Sequence, residues 1–116
     1  MHQLTEREKL IYLAALLEGE GCFEERAAGR PSPHGGKQFR INISMTDKDV
    51  IEWIEREFDS QKMAEVPMPG DYKTQYKVRW GSKAAKELAL KVYPYMGERR
   101  RAKIEYLTEI GLDNAA

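Results

Sequence analysis

A chain of 116 residues, 41% hydrophobic and 33% charged, has the length and balance of one ordinary globular domain, expected over residues 1–116. Its formal net charge of +0 excludes a uniformly basic nucleic-acid binder, and its one cysteine, Cys22, excludes an internal disulfide and a Cys-rich zinc site. The N-terminal stretch is too polar for a secretory leader and no apolar run is long enough to span a bilayer, so the expected setting is the cytoplasm, a nucleoid or an organelle matrix, neither secreted nor membrane-bound.

Residues 5–18 are predicted helical. Thr5 and Glu8 have capping-box spacing, and Leu10, Ile11, Leu13, Ala14, Leu16 and Leu17 make the segment apolar around most of its circumference. Gly19 and Gly21 are expected to close it. Residues 22–28 read as a strand, and residues 30–36 (RPSPHGG) as a loop broken by prolines and glycines. In residues 37–45, Phe39, Ile41, Ile43 and Met45 alternate with Gln38, Arg40, Asn42 and Ser44, the period of a strand with one buried and one polar face. Thr46 and Asp49 have the spacing of a second capping box, opening a helix to about residue 58 through Val50, Ile51, Trp53, Ile54 and Phe58. A third strand is expected over residues 61–66 and a turn over 67–71. A fourth strand is expected over 72–80, with Tyr72, Thr74, Tyr76, Val78 and Trp80 inward and Lys73, Gln75, Lys77 and Arg79 outward. Ser82 starts a helix that Pro94 interrupts, and a last helix covers roughly residues 97–110. The order α-β-β-α-β-β-α-α predicts an α+β fold: a four-stranded antiparallel sheet with helices packed on one face.

Charge is segregated along this order. No acid occurs between Arg26 and Thr46 or between Tyr72 and Lys83, whereas six acids fall between Asp47 and Asp59. One surface of a neutral molecule is therefore expected to be basic. The open sheet face would carry Arg40, Asn42, Ser44, Lys73, Gln75, Lys77 and Arg79, a cationic and amide-rich set suited to a nucleic-acid groove.

The segment Leu13-Ala14-Ala15-Leu16-Leu17-Glu18-Gly19-Glu20-Gly21 resembles the nine-residue signature of the LAGLIDADG homing endonucleases, with Tyr12 before it and Cys22-Phe23 after it also similar. Residues 41–58 (INISMTDKDVIEWIEREF) resemble that family's second strand and second helix, and residues 94–107 (PYMGERRRAKIEYL) its C-terminal helical segment. Independently of the name, Ala14 and Ala15 are small residues that let two helices approach closely, and one copy of the motif per chain points to a two-fold homodimer. Glu18 and Glu20 stand at a helix C-terminus, where the dipole disfavours carboxylates and a cation would compensate them.

The resemblance implies an αββαββα homing-endonuclease fold and a homodimer that cuts double-stranded DNA site-specifically with Mg²⁺ or Mn²⁺. The motif's eighth position, the family's metal-binding acid, is Glu20, with Gly19 beside it in the metal site. Leu13, Ala14, Leu17 and Glu18 would lie at the dimer interface, and Asp47 where the family often places a residue that orders water. A catalytic cation is expected at the start of the last helix, where Arg99, Arg100 and Arg101 are the candidates. DNA contacts are expected from Glu24, Arg26, Arg30, Lys37, Gln38, Arg40, Asn42, Ser44, Lys73, Gln75, Lys77 and Arg79. Departures from the pattern (Glu20 for aspartate, Glu98 before an arginine run) keep an alternative open: a non-cleaving DNA-binding protein or intron RNA maturase of the same family.

Overall fold

A computed structural model describes residues 3–27 and 37–114, and the side chains of residues 3–25 and 38–108. The loop expected at residues 30–36, with Arg30, lies outside the described residues, as do the side chains of Arg26 and Lys37.

Helix α1 (Glu6–Glu20) opens with the capping box that its sequence predicts. The Glu8 N–H donates to Thr5 Oγ1 at 3.1 Å and the Thr5 N–H to Glu8 Oε1 at 2.8 Å. These bonds, the backbone one foremost, hold the Glu8 carboxyl below its ordinary range. The helix outlasts its predicted end at residue 18. Glycine at position 19 continues the helix, and the chain leaves it only at Gly21, whose N–H bonds the Leu17 carbonyl. A Cβ on Gly21 would lie 2.7 Å from that carbonyl oxygen, so the sharp passage into strand β1 (Gly21–Ala27) requires glycine.

Strand β2 (Lys37–Met45) pairs with β1 in antiparallel register, Gly21 opposite Ile43 and Glu24 opposite Arg40. Helix α2 (Lys48–Phe58) follows, and the second capping box is absent: Asp47 is the N-cap and makes no side-chain cap bond. Strand β3 (Ala64–Val66) is a short edge strand, and β4 (Gln75–Gly81) fills the place between it and β2, giving the order β1-β2-β4-β3 with every pairing antiparallel. The predicted fourth strand began at residue 72. In the structure pairing stops where Gln75 meets Val66, so Tyr72 and Lys73 precede the sheet and Tyr72 is exposed rather than inward. Helix α3 (Ser82–Val92), a 3-10 turn containing Pro94 (Tyr93–Tyr95) and helix α4 (Glu98–Asn114) complete the chain.

The helices pack on one sheet face. Phe23, Phe39, Ile41, Ile43, Val78 and Trp80 meet Leu13 and Leu17 of α1, Ile51, Trp53 and Ile54 of α2, Leu88 and Val92 of α3, and Ile104 and Leu107 of α4 in one buried cluster. Trp53 takes Tyr12 and Phe58 edge-on at 5.2 and 5.7 Å, and Trp80 Nε1 donates to the Phe58 carbonyl at the end of α2. The opposite face carries the polar series of β1, β2 and β4, as the alternation predicts. Among the described residues no helix is long and apolar enough to cross a membrane.

Candidate nucleic-acid interface and acidic helix end

Glu18 and Glu20 leave α1 in different directions. Glu18 is turned inward: its Oε1 accepts the Gly97 N–H at 2.5 Å, its Oε2 lies 3.6 Å from Arg100 Nε, and its carbonyl accepts from Arg100 Nη2 at 3.3 Å. The Arg100 guanidinium also lies over the Phe23 ring, 5.5 Å from its centre. The cation that compensates Glu18 at the helix C-terminus is therefore internal to the chain. Glu18, expected at a dimer interface, and Arg100, a candidate catalytic cation, thus fasten α1 to the start of α4 within the chain. Arg101 is exposed; the Tyr93 hydroxyl donates to Glu105, and that bond foremost pushes the phenol above its ordinary range, with the Arg101 charge pulling the other way. Arg99 is exposed.

Glu20 is exposed and has no hydrogen bond or ion pair among the described residues. The pairing of Gly21 with Ile43 places it where β2 runs out towards Ser44 and the exposed Asp47. Cys22 follows on the open face, its thiol donating to Glu24 Oε2 at 3.7 Å. Burial, then the Glu24 charge, pushes that thiol above its ordinary range, while Arg100 and Lys103 pull the other way. The α4 cations Arg100 and Lys103 thus act on the Cys22 thiol, and of the two Lys103 escaped the sequence reading. Its signal was helical spacing, since it stands three residues after Arg100 and four after Arg99.

Leu13, Ala14 and Leu17, expected at a dimer interface, are each 0% exposed inside the chain's own core. The line of α1 that faces solvent is Ile11, Ala15 and Gly19, at i, i+4 spacing. A Cβ at Gly19 would meet nothing within 4 Å. A helix apolar all round has two burial faces, and the tertiary structure assigns the larger residues to the inner one.

On the open sheet face Gln38, Arg40, Asn42, Ser44, Gln75 and Lys77 are half-buried and Arg79 exposed. Gln38 Nε2 donates to Ser82 Oγ at 2.7 Å, Asn42 Nδ2 to Glu24 Oε1 at 3.1 Å, and Arg79 Nε to Gln61 Oε1 at 3.1 Å. Gln61 and Ser82 are additions to the predicted set; both lie outside the alternating strands that revealed the others. Lys73 is exposed but off the sheet.

No protein-family model and no curated protein matches the sequence. Solved structures do match the fold. The homing endonuclease I-CvuI, in complex with its target in the presence of 2 mM Ca, aligns over 90% of this chain at a TM-score of 0.65 and 14% identity. The archaeal intron-encoded homing endonuclease I-Vdi141I, complexed with DNA, aligns over 95% at 0.70 and 20%, and the LAGLIDADG homing endonuclease I-LtrWI, bound to target DNA, over 99% at 0.59 and 21%. This chain spans 66%, 72% and 43% of those three chains, respectively. Four helices and a four-stranded antiparallel sheet in this arrangement are the homing-endonuclease fold.

Proposed function

We propose that the protein is a site-specific, metal-dependent endonuclease of double-stranded DNA that acts as a homodimer. One observation carries the reading: Glu20, without a partner among the described residues, ends an exposed Ile11–Ala15–Gly19 line and adjoins the polar, open face of the sheet. Small residues at i, i+4 suit close approach of a second α1 across a two-fold axis, which would bring two Glu20 side chains together. The homing-endonuclease neighbours are DNA complexes, which agrees with this use of the fold.

The donor chemistry fits a hard cation. The Glu20 carboxylate and Gly19 carbonyl are oxygen ligands of the kind that hold Mg²⁺ or Mn²⁺. The described residues of one chain contain no group of three metal-binding side chains, so a second copy and a DNA phosphate would complete the set. When bound, the ion would supply Lewis acidity at the scissile phosphate. The chain's own residues do the rest. The Glu18–Arg100–Gly97 contacts fix the helix end that presents Glu20. Arg99 and Lys103 are the remaining cations of that region for phosphate charge, and Asp47 is the residue for ordering water. Arg40, Asn42, Gln75, Lys77 and Arg79 would meet the groove.

Glu20→Gln keeps the shape and removes the charge. It is expected to abolish cleavage of duplex DNA in Mg²⁺ while duplex binding persists. Loss of binding along with cleavage would refute the division between α1 and the sheet. Salt-sensitive binding of DNA or RNA without cleavage by the natural protein would establish the non-cleaving or maturase reading instead.

A further inference from the structure

On the open face of β4, Arg79 lies directly opposite Asn42 of β2, and each is held from outside that pair. Gln61 lies before β3, outside the alternating pattern. Its N–H donates to the Arg79 carbonyl at 2.8 Å, while its Oε1 accepts from Arg79 Nε at 3.1 Å. Its amide lies along the strand, with Nε2 3.6 Å from the position a Cβ on Gly81 would take. Gln61 therefore grips one residue at two points, by backbone and by side chain. On the other side Glu24 of β1 takes Asn42 Nδ2 at 3.1 Å.

We propose that Gln61 is a positioning residue that aims the guanidinium of Arg79 at a guanine in the major groove. The inference rests on the reading of the open face as the DNA-binding surface. An arginine offers two bidentate edges, Nε with one terminal nitrogen, or both terminal nitrogens end-on. Gln61 occupies Nε and so removes the first. Among the described residues the two terminal nitrogens of Arg79 have no partner, and the side chain is exposed. What remains is an end-on fork, the geometry that pairs with guanine O6 and N7. The neighbours favour a base over a phosphate. Lys77 and Arg40 flank Arg79 on this face, but its direct partner across the strands is Asn42, which is left with an acceptor oxygen that a phosphate cannot use and that suits a donor in the groove such as cytosine N4. Fixing the guanidinium before DNA arrives lowers the ordering cost of one base contact without changing the number of phosphate contacts.

The test is selection of duplexes from a fully randomised pool by the full chain, with thermal melting of each variant as a control. The natural protein is expected to enrich guanine at a position where Arg79→Ala loses the preference about tenfold. Gln61→Met, of similar shape but without the acceptor, is expected to lose the same preference by about as much, with an unchanged melting midpoint. Gln61→Glu, which keeps the acceptor, is expected to restore the preference while lowering overall affinity by its charge. Retention of the guanine preference in Gln61→Met overturns the inference. An Arg79→Ala protein that binds all sequences evenly more weakly overturns it too, since that is the signature of a phosphate contact. Failure of the natural protein to bind any duplex overturns both this and the endonuclease reading, whereas the first two outcomes leave that reading standing.

Discussion

Single residues decide the chemistry at the end of α1. Glu18 and Glu20 are two positions apart and chemically identical, yet only Glu18 meets Arg100 and the Gly97 N–H. The Arg100 side chain is 13% exposed and bridges Glu18 to the Phe23 ring. Its removal leaves a helix-end carboxylate without its cation and a ring without its cover. Arg100→Ala is therefore expected to destabilise the fold by about 1–2 kcal/mol in urea unfolding, while Arg99→Ala stays within about 0.5 kcal/mol of the natural protein. Equal effects of the two substitutions would mean that Arg100 is no clamp. The run Arg99-Arg100-Arg101 is uniform in sequence, and nothing local distinguishes its members. Their roles diverge because a helix sends successive residues 100° apart: Arg100 turns to Glu18, while Arg99 and Arg101 face solvent.

At the scale of elements, α1 has an inner and an outer face that differ by one residue. Ala14 is 0% exposed against the core and Ala15 faces solvent. Ala14→Leu is expected to overpack the core at a cost of about 1–3 kcal/mol. Ala15→Arg is expected to leave the unfolding midpoint unchanged but to abolish concentration-dependent self-association in sedimentation, with or without DNA. Dimers that survive Ala15→Arg would move the interface off α1. A second link joins α1 to α2. Lys9 Nζ lies 2.8 Å from Glu57 and 3.1 Å from Glu6. The bond from Lys9 holds the Glu57 carboxyl below its ordinary 4.5, and that from Glu57 first, then Glu6, lifts the Lys9 ammonium above 10.5. A lowered carboxyl contributes stability above its unfolded value and loses it as pH falls through the folded one. A raised ammonium contributes below its unfolded value and loses it as pH rises. Lys9→Met should thus lower stability between about 4.5 and 10.5 and converge with the natural protein in acid. Urea melts across the carboxylate range check this, and a constant offset at every pH would show that Lys9 acts by packing alone.

For the whole molecule, a net charge of +0 and a polar sheet face confine the proposed DNA binding to one side. Affinity for duplex DNA is expected to fall with salt, and Lys77→Ala to reduce the logarithmic salt slope by about 1, the loss of one phosphate contact. A slope unchanged by Lys77→Ala would remove that residue from the interface. Local sequence dictated the strand of residues 37–45, the amphipathic α2 and the capping box of α1, because each is a local period or a contact three residues apart. It also carried the motif whose resemblance named the fold that the solved homing endonucleases share. It left open which side of α1 turns inward, because a helix apolar all round is the same from either side until other elements cover it. It overran the start of β4, because alternation continues past Gln75 where no partner strand does. Only the tertiary structure separated Glu18 from Glu20, chose Arg100 from its run and brought Gln61 to Arg79, contacts made across 82 and 18 residues of chain that no local pattern encodes.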